Sequence, residues 1–346
     1  MTNSTYTRFR PKVLTQPLHN SIPSQLLSRF DPVYVEYYKK YNAGRLHTHE
    51  VPIEDFRRNP AKYTISYGRT MDRTVRIFEP AAMSDEDGTV QKRAAYINFH
   101  GGGWVFGDLS NDHDFCKRVV EELQGQLVAF DVEYRLAREH RYPVPVDDCW
   151  TALNWVRSHR AEDFSVDPDR LAVGGMSASG HLAAVMAHLC RDAGIPLRLQ
   201  VLNVPVCDLH SPFKPDGTFY RNGYRYESYR EMESTVALPV ARMTYFHRHL
   251  LGIPRPAMSE QSWRISPILA PNFGGLAPAL IFTAEMDPLR DEGEAYAAKL
   301  KDAGCSVELM QMKGVPHTFA LLDGILESGR VYNERVIEEL IRAIAM

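Results

Sequence analysis

From about residue 62 onward, short apolar runs alternate with longer stretches in which apolar residues recur every three to four positions. The short runs predict β-strands over 94–99, 126–134, 171–173, 197–206, 279–283 and 306–312. The longer stretches predict amphipathic helices over 115–123, 147–158, 182–193, 292–303 and 329–345. Largely apolar strands alternating with helices indicate a mostly parallel sheet covered on both faces, an α/β fold. In such a sheet, functional residues gather at the carboxyl ends of the strands.

Two segments break the alternation. One is a Tyr-rich, helix-like stretch over 24–41. The other runs over 208–263, between two predicted strands, and carries Phe213, Phe219, Tyr220, Tyr224, Tyr226, Tyr229, Tyr245 and Phe246. An insertion of that length at the strand-end edge reads as a cap or lid. Most of its aromatics are expected to fill the cap's own core, with a few lining a pocket.

At 346 residues the chain can bury a large core, as one large α/β domain or one with an inserted unit. A formal net charge of −3 supplies no basic field for nucleic acid or anionic lipid. No apolar run reaches bilayer-spanning length. Five scattered cysteines without CxxC spacing suit reduced thiols in a cytoplasmic protein. Residues 1–30 lack an apolar core for a secretory signal. Their basic, Ser/Thr-rich composition faintly resembles a transit peptide, but Pro11, Pro17 and Pro23 would interrupt a presequence helix, so an irregular polar leader is the expectation.

Two of the predicted strands run straight into motifs with complementary chemistry. His100-Gly101-Gly102-Gly103 ends the first with bare peptide units whose N–H groups can converge on an oxyanion. Gly175-Met176-Ser177-Ala178-Ser179 ends the third with a serine among small residues, the form of a nucleophile elbow. Taken alone, Ser177 or Ser179 capping the next helix would explain a serine about as well, but the glycine run shifts the balance to catalysis, and Ser177 is the candidate nucleophile. The candidate oxyanion donors are the amides of Gly102, Gly103 and Ala178.

The base should be a histidine. Of the 13, His317 follows the last predicted strand in a loop that opens on the functional edge. His100 belongs to the glycine turn. The HxH pairs His47/His49 and His247/His249 have no third ligand and read as surface or cap residues. Asp287, after the 279–283 strand, is the candidate orienting acid, with Glu285 its local rival. Asp291 and Glu292 read as first-turn residues of the next helix.

The chain resembles the hormone-sensitive-lipase-like (GDXG) carboxylesterases of the α/β-hydrolase fold from roughly residue 90 to its end. The resemblance rests on HGGGWVFGD at 100–108, EYRLAREH at 133–140, the serine block at 174–183, SPIL at 266–269, AEMDPLRDEGEAYAAKL at 284–300, and His317-Thr318-Phe319. It implies a small helical cap built from residues 1–62 and 208–263 over a catalytic domain of 63–207 and 264–346. It also implies cofactor-free and metal-free hydrolysis of short- to medium-acyl esters by a Ser-His-Asp triad through an acyl-enzyme. Trp104, after the glycines, resembles the branch associated with small acyl groups and is expected at the substrate. The serine block departs from the family's GDSAGGN at Met176, Ser179 and His181, and Arg138 stands where a proline is usual.

The leading expectation is a serine carboxylesterase acting on a small-molecule ester, with the Tyr-rich cap suggesting a bulky or aromatic natural product. A homodimer is the candidate assembly. An acyltransferase using the same triad and a non-catalytic small-molecule receptor are the alternatives, with a dehydratase more remote.

Overall fold

The computed structural model describes residues 20–42, 67–70, 73–79, 92–158, 164–220 and 225–345. Residues 1–19 of the expected 1–30 leader, His47, His49 and Tyr224 lie outside them, whereas residues 20–30 are described and bury Ile22, Leu26 and Phe30. The described strands are β1 (Tyr67–Thr70), β2 (Arg73–Phe78), β3 (Arg93–Phe99), β4 (Leu127–Glu133), β5 (Val166–Met176), β6 (Leu197–Asn203), β7 (Ala279–Ala284) and β8 (Val307–Met312). They form an eight-stranded sheet in the order β1-β2-β4-β3-β5-β6-β7-β8. The β1–β2 and β2–β4 pairings are antiparallel, and every pairing from β4 to β8 is parallel.

The six expected strands are present. The antiparallel edge was not named from sequence, because charged residues interrupt the apolar alternation of β2. One of them, Arg76, is buried and donates from Nη1 to the Leu109 carbonyl at 2.6 Å. A polar residue satisfied by a distant loop leaves no hydrophobic signal.

Strand periodicity divides the interior into two cores. Ala95, Ile97 and Phe99 of β3 join Val128, Phe130 and Val132 of β4 in one. Ala94 and Tyr96 join Leu127 and Ala129 in the other. Successive side chains on opposite faces, both covered, explain why these strands read as continuous apolar runs.

Helices cover both faces. They are α1 (Pro32–Tyr41), α2 (His113–Glu122), α3 (Val144–Ser158), α4 (Ala178–Asp192), α5 (Glu227–Glu231), α6 (Val240–Leu251), α7 (Arg290–Asp302) and α8 (Glu327–Ala345). Val146, Leu153, Leu182, Met186 and Tyr296 bring α3, α4 and α7 into the first core. Val119, Val336 and Leu340 bring α2 and α8 into the second. No helix among the described residues is long and apolar enough to cross a membrane.

The Tyr-rich N-terminal stretch is a short 3₁₀ turn followed by α1. Asp31 caps α1 by accepting from Val33 N at 2.7 Å, and Pro32 occupies the first turn, where its missing N–H costs nothing. Tyr34 and Tyr38 are buried in the second core beside Met232, Val236, Met286 and Val315. The N-terminal segment therefore packs against both the 208–263 insertion and the loops that follow β7 and β8.

Gly174, near the end of β5, measures the tightness of the central strands. A Cβ there would lie 2.1 Å from the Tyr96 hydroxyl and 2.9 Å from the ring carbon carrying it. Gly174→Ala is expected to lower unfolding free energy in denaturant by about 1–3 kcal/mol through overpacking. Adding Tyr96→Phe should recover part of the loss, and strictly additive effects of the two changes would refute this account.

Candidate active site

β5 ends at Met176 and α4 begins at Ala178, so Ser177 alone makes the crossover, at φ 65° and ψ −118°. A positive φ in a non-glycine residue costs about 1–3 kcal/mol and persists only where its surroundings enforce it. Ser177 N donates to the Asn203 carbonyl of β6 at 2.8 Å. The Ser177 carbonyl accepts from His181 N at 3.1 Å and Val206 N at 3.3 Å. Ser179 Oγ accepts from Met176 N at 2.8 Å and donates to the Met176 carbonyl at 2.7 Å, tying the start of α4 to the end of β5.

The small residues around Ser177 are required by space. A Cβ on Gly175 would come within 2.6 Å of Ser179 Cβ and Oγ, and one on Gly180 within 3.0 Å of Pro205. The Ser177 side chain makes no capping bond to α4, which removes the capping explanation for this serine. Ser177 instead lines a cavity of about 580 Å³ together with His317, Gly102, Gly103, Phe246 and Arg242.

His317 follows β8, and its Nδ1 lies 2.6 Å from Asp287 Oδ2. Asp287 is fully buried, and its Oδ1 accepts from Leu289 N at 3.1 Å. With a carboxylate at Nδ1, the ring proton belongs there and Nε2 is left as the acceptor. Among the described residues no hydrogen bond joins Ser177 Oγ to His317; their association is through the shared cavity wall. The insertion braces the Asp287 loop from outside. Thr235 Oγ1 donates to the Met286 carbonyl at 3.1 Å, and Ser228 Oγ donates to the Pro288 carbonyl at 2.6 Å.

Glu285, the rival carboxylate, turns to the N-terminal segment. It accepts from Gly314 N at 2.9 Å and faces Arg29 at 3.8 Å. Asp291 and Glu292 do open α7, yet neither is merely a surface first-turn residue. Asp291 accepts from Ser228 N at 2.7 Å. Glu292 is fully buried and accepts from Cys207 N at 2.7 Å, Asp208 N at 3.2 Å and Tyr229 OH at 2.6 Å. Burial holds the Glu292 pKa well above the usual carboxylate range.

Gly102 and Gly103 have φ of 125° and 65°. A Cβ on Gly102 would sit 2.1 Å from the Phe106 carbonyl oxygen, and one on Gly103 2.3 Å from the Phe246 ring. The glycine run therefore answers both backbone angle and close approach. Ala178 opens α4, where first-turn amides have no intrahelical acceptor. His100 stays with the turn, its Nδ1 2.9 Å from the Gly101 carbonyl and its ring stacked on Tyr134.

Trp104 is placed differently from expectation. With its backbone at φ 59°, Trp104 holds its indole fully buried beside His181 and His247. It packs the boundary between insertion and sheet domain instead of lining the cavity. His247 is likewise buried, 4.5 Å from the Phe213 ring, so the HxH spacing of α6 reflects packing. No group of three His, Cys, Asp or Glu among the described residues is arranged to hold a metal ion. The sequence reading did not single out Arg242, Leu238 and Leu136 on the cavity wall; Arg242 and Leu136 fell within stretches read as cap and motif, and no local pattern marks a side chain as cavity-facing.

A family profile described as alpha/beta hydrolase fold matches residues 96–321. An AB hydrolase superfamily protein of Schizosaccharomyces pombe is 33% identical, across 95% of this chain and 97% of its own length. Carboxylesterase NlhH of Mycobacterium tuberculosis is 34% identical across 81% of this chain and 82% of its own. Among solved structures, an esterase of Pyrobaculum calidifontis is similar with a TM-score of 0.66 and 34% identity, covering 78% of this chain and 80% of its own. An ester-hydrolase from the metagenome of Lake Arreo has a TM-score of 0.73 and 28% identity, covering 91% and 98% respectively.

His181, one turn into α4, is buried with Nε2 3.1 Å from the Arg264 carbonyl, and burial lowers its pKa to about 4. The unfolded imidazole takes up its proton near pH 6.5, whereas the folded one resists until about pH 4. The stability this group contributes is therefore present above pH 6.5 and lost as pH falls through that window. Between pH 6.5 and 4.5 the unfolding free energy of the wild type should fall relative to His181→Asn by about 2 kcal/mol. A constant difference in denaturant titrations across that range would show that the ring protonates freely in the folded chain.

Proposed function

The chain belongs to the hormone-sensitive-lipase-like carboxylesterases of the α/β-hydrolase fold and is a carboxylic ester hydrolase; on that premise we propose that Ser177, His317 and Asp287 are its catalytic triad. The observation that carries the proposal is the 2.6 Å contact from buried Asp287 to His317 Nδ1, on a ring that shares a cavity with Ser177. Ser177 Oγ attacks the ester carbonyl while His317 Nε2 takes the hydroxyl proton. The carbonyl π electrons move to oxygen, where amides of Gly102, Gly103 and Ala178 stabilise the charge. Collapse of the tetrahedral adduct expels the alcohol, protonated by His317, and leaves an acyl-Ser177 ester. Water, deprotonated by the same ring, attacks that ester; the carboxylic acid departs and Ser177 recovers its proton.

Asp287 positions the imidazole and stabilises the imidazolium; it does not take up the proton itself. Its isolation from water supports that role. We further assign residues 20–42 and 208–263 to one cap, since Tyr38 and Arg242 are electrostatic neighbours across the two segments. Phe246 against Gly103 narrows the cavity beside the oxyanion donors, which favours short to medium acyl chains. A cavity of about 580 Å³ also has room for a bulky alcohol portion.

With p-nitrophenyl butyrate, Ser177→Ala should lose about 10⁵–10⁶-fold in kcat, and Asp287→Asn about 10⁴-fold through the wrong imidazole tautomer. Glu285→Gln should retain activity, because that carboxylate serves the N-terminal segment. A fluorophosphonate should label Ser177 and no other residue, read by mass analysis of the peptides. Wild-type turnover in Ser177→Ala, or labelling elsewhere, would refute the assignment.

A further inference from the structure

Arg242 is the one Lys or Arg on the wall of the Ser177 cavity among the described residues. It projects from α6 of the cap. Its Nη1 donates to the carbonyl of Ala237, a residue held at φ 67°. Its Nε is buried without a partner, and among the described residues no carboxylate lies within ion-pair distance. Burial lowers its pKa only to about 10, so it remains charged at neutral pH. The neighbouring Tyr38 phenol cannot neutralise it, since burial raises that pKa well above its ordinary value.

An uncompensated guanidinium beside Leu238, Phe246 and Leu321 is costly in a partly apolar cavity. Hydrophobic contacts alone would be served as well by a neutral residue. The other charged groups on the wall, Asp108 and Asp112, are already engaged. Asp108 Oδ1 accepts from Ser110 N at 2.7 Å and from Ser110 Oγ at 2.5 Å. Asp112 accepts from Asn98 at 3.0 Å, and its pKa is pushed up to about 6 by burial. The cavity is therefore polarised, with acidic groups on the segment after the glycine run and a lone cation on the cap.

We propose that the ester accepted by this site carries a carboxylate besides its scissile bond, and that Arg242 binds that carboxylate. This rests on the hydrolase reading above and narrows its substrate class. The remaining Nη2 is available to a carboxylate oxygen, giving a charge-assisted hydrogen bond that a neutral ester cannot make. Asp108 repels the same carboxylate, so the anionic end is directed to the cap and the ester carbonyl toward Ser177.

Two matched substrate pairs locate the charge. Mono-p-nitrophenyl glutarate against p-nitrophenyl butyrate places it on the acyl side; 3-acetoxybenzoate against its methyl ester places it on the alcohol side. The wild type should favour the anionic member of at least one pair in kcat/KM. Arg242→Met should lower that anionic-to-neutral ratio by about 10- to 100-fold, with Arg242→Lys intermediate. A wild-type preference for the neutral member in both pairs, or a ratio that Arg242→Met leaves unchanged, overturns the proposal.

Glutarate binding to Ser177→Ala, measured by calorimetry, provides a readout without turnover. Binding that weakens with added KCl, is weakened in Ser177→Ala/Arg242→Lys and is lost in Ser177→Ala/Arg242→Met supports the anion site; absence of binding with neutral esters still hydrolysed by the wild type defeats the site alone. Salt-sensitive glutarate binding in a chain that cleaves no ester would instead defeat the hydrolase reading and leave the anion site standing. If Arg242→Met does not fold, the Arg242→Lys ratio and this binding measurement decide the matter.

Discussion

The left-handed backbone at Ser177 is the constraint from which the arrangement of the site follows. A parallel strand turning directly into a helix within one residue cannot keep that residue in a relaxed region of backbone space. The strain is opposed by bonds from Ser177 N to Asn203, by the paired bonds of Ser179 Oγ to Met176, and by glycine wherever a side chain would collide. Ser179 is instructive because it replaces the glycine usual in the resembled motif. Its hydroxymethyl is accommodated by Gly175 and used as a latch, so a departure from the family pattern becomes part of the local support.

Ser177 stands at the carboxyl end of a central strand, and the loops after β7 and β8 at the same edge carry Asp287 and His317, which meet each other at 2.6 Å. Their loops are held by the cap through Thr235 and Ser228 and by α1 through Asp31 N, which donates to the Gly314 carbonyl at 2.7 Å. The 208–263 insertion thus lines the cavity and, with the segment before α1, also holds the loops that carry Asp287 and His317.

Buried ionisable groups divide by whether they have partners. Glu292 is enclosed by two amides and a phenol, and Asp287 by an amide and an imidazole, so each is retained at modest cost. Asp112 and Asp131 share Asn98, and burial raises both. Arg242 differs: among the described residues only one of its nitrogens is satisfied, by the Ala237 carbonyl, and it lines the cavity. On a wall whose two carboxylates, Asp108 and Asp112, are already engaged, that asymmetry is chemically directional.

The alternating apolar runs and the glycine and serine motifs sufficed to predict the parallel strands, the flanking helices and the loops carrying Ser177, Asp287 and His317. Those features are local: burial on both faces writes itself into consecutive residues, and tight turns demand small ones. Only the folded chain decided that Asp287 and not Glu285 meets the imidazole, because two residues of separation place their side chains on different sides of one loop. Only the fold placed Trp104 between His181 and His247, residues far apart in sequence whose meeting no hydrophobicity pattern records. It alone brought Arg242 to the cavity, since the distance between a cap helix and a strand end is set by packing of segments far apart in sequence.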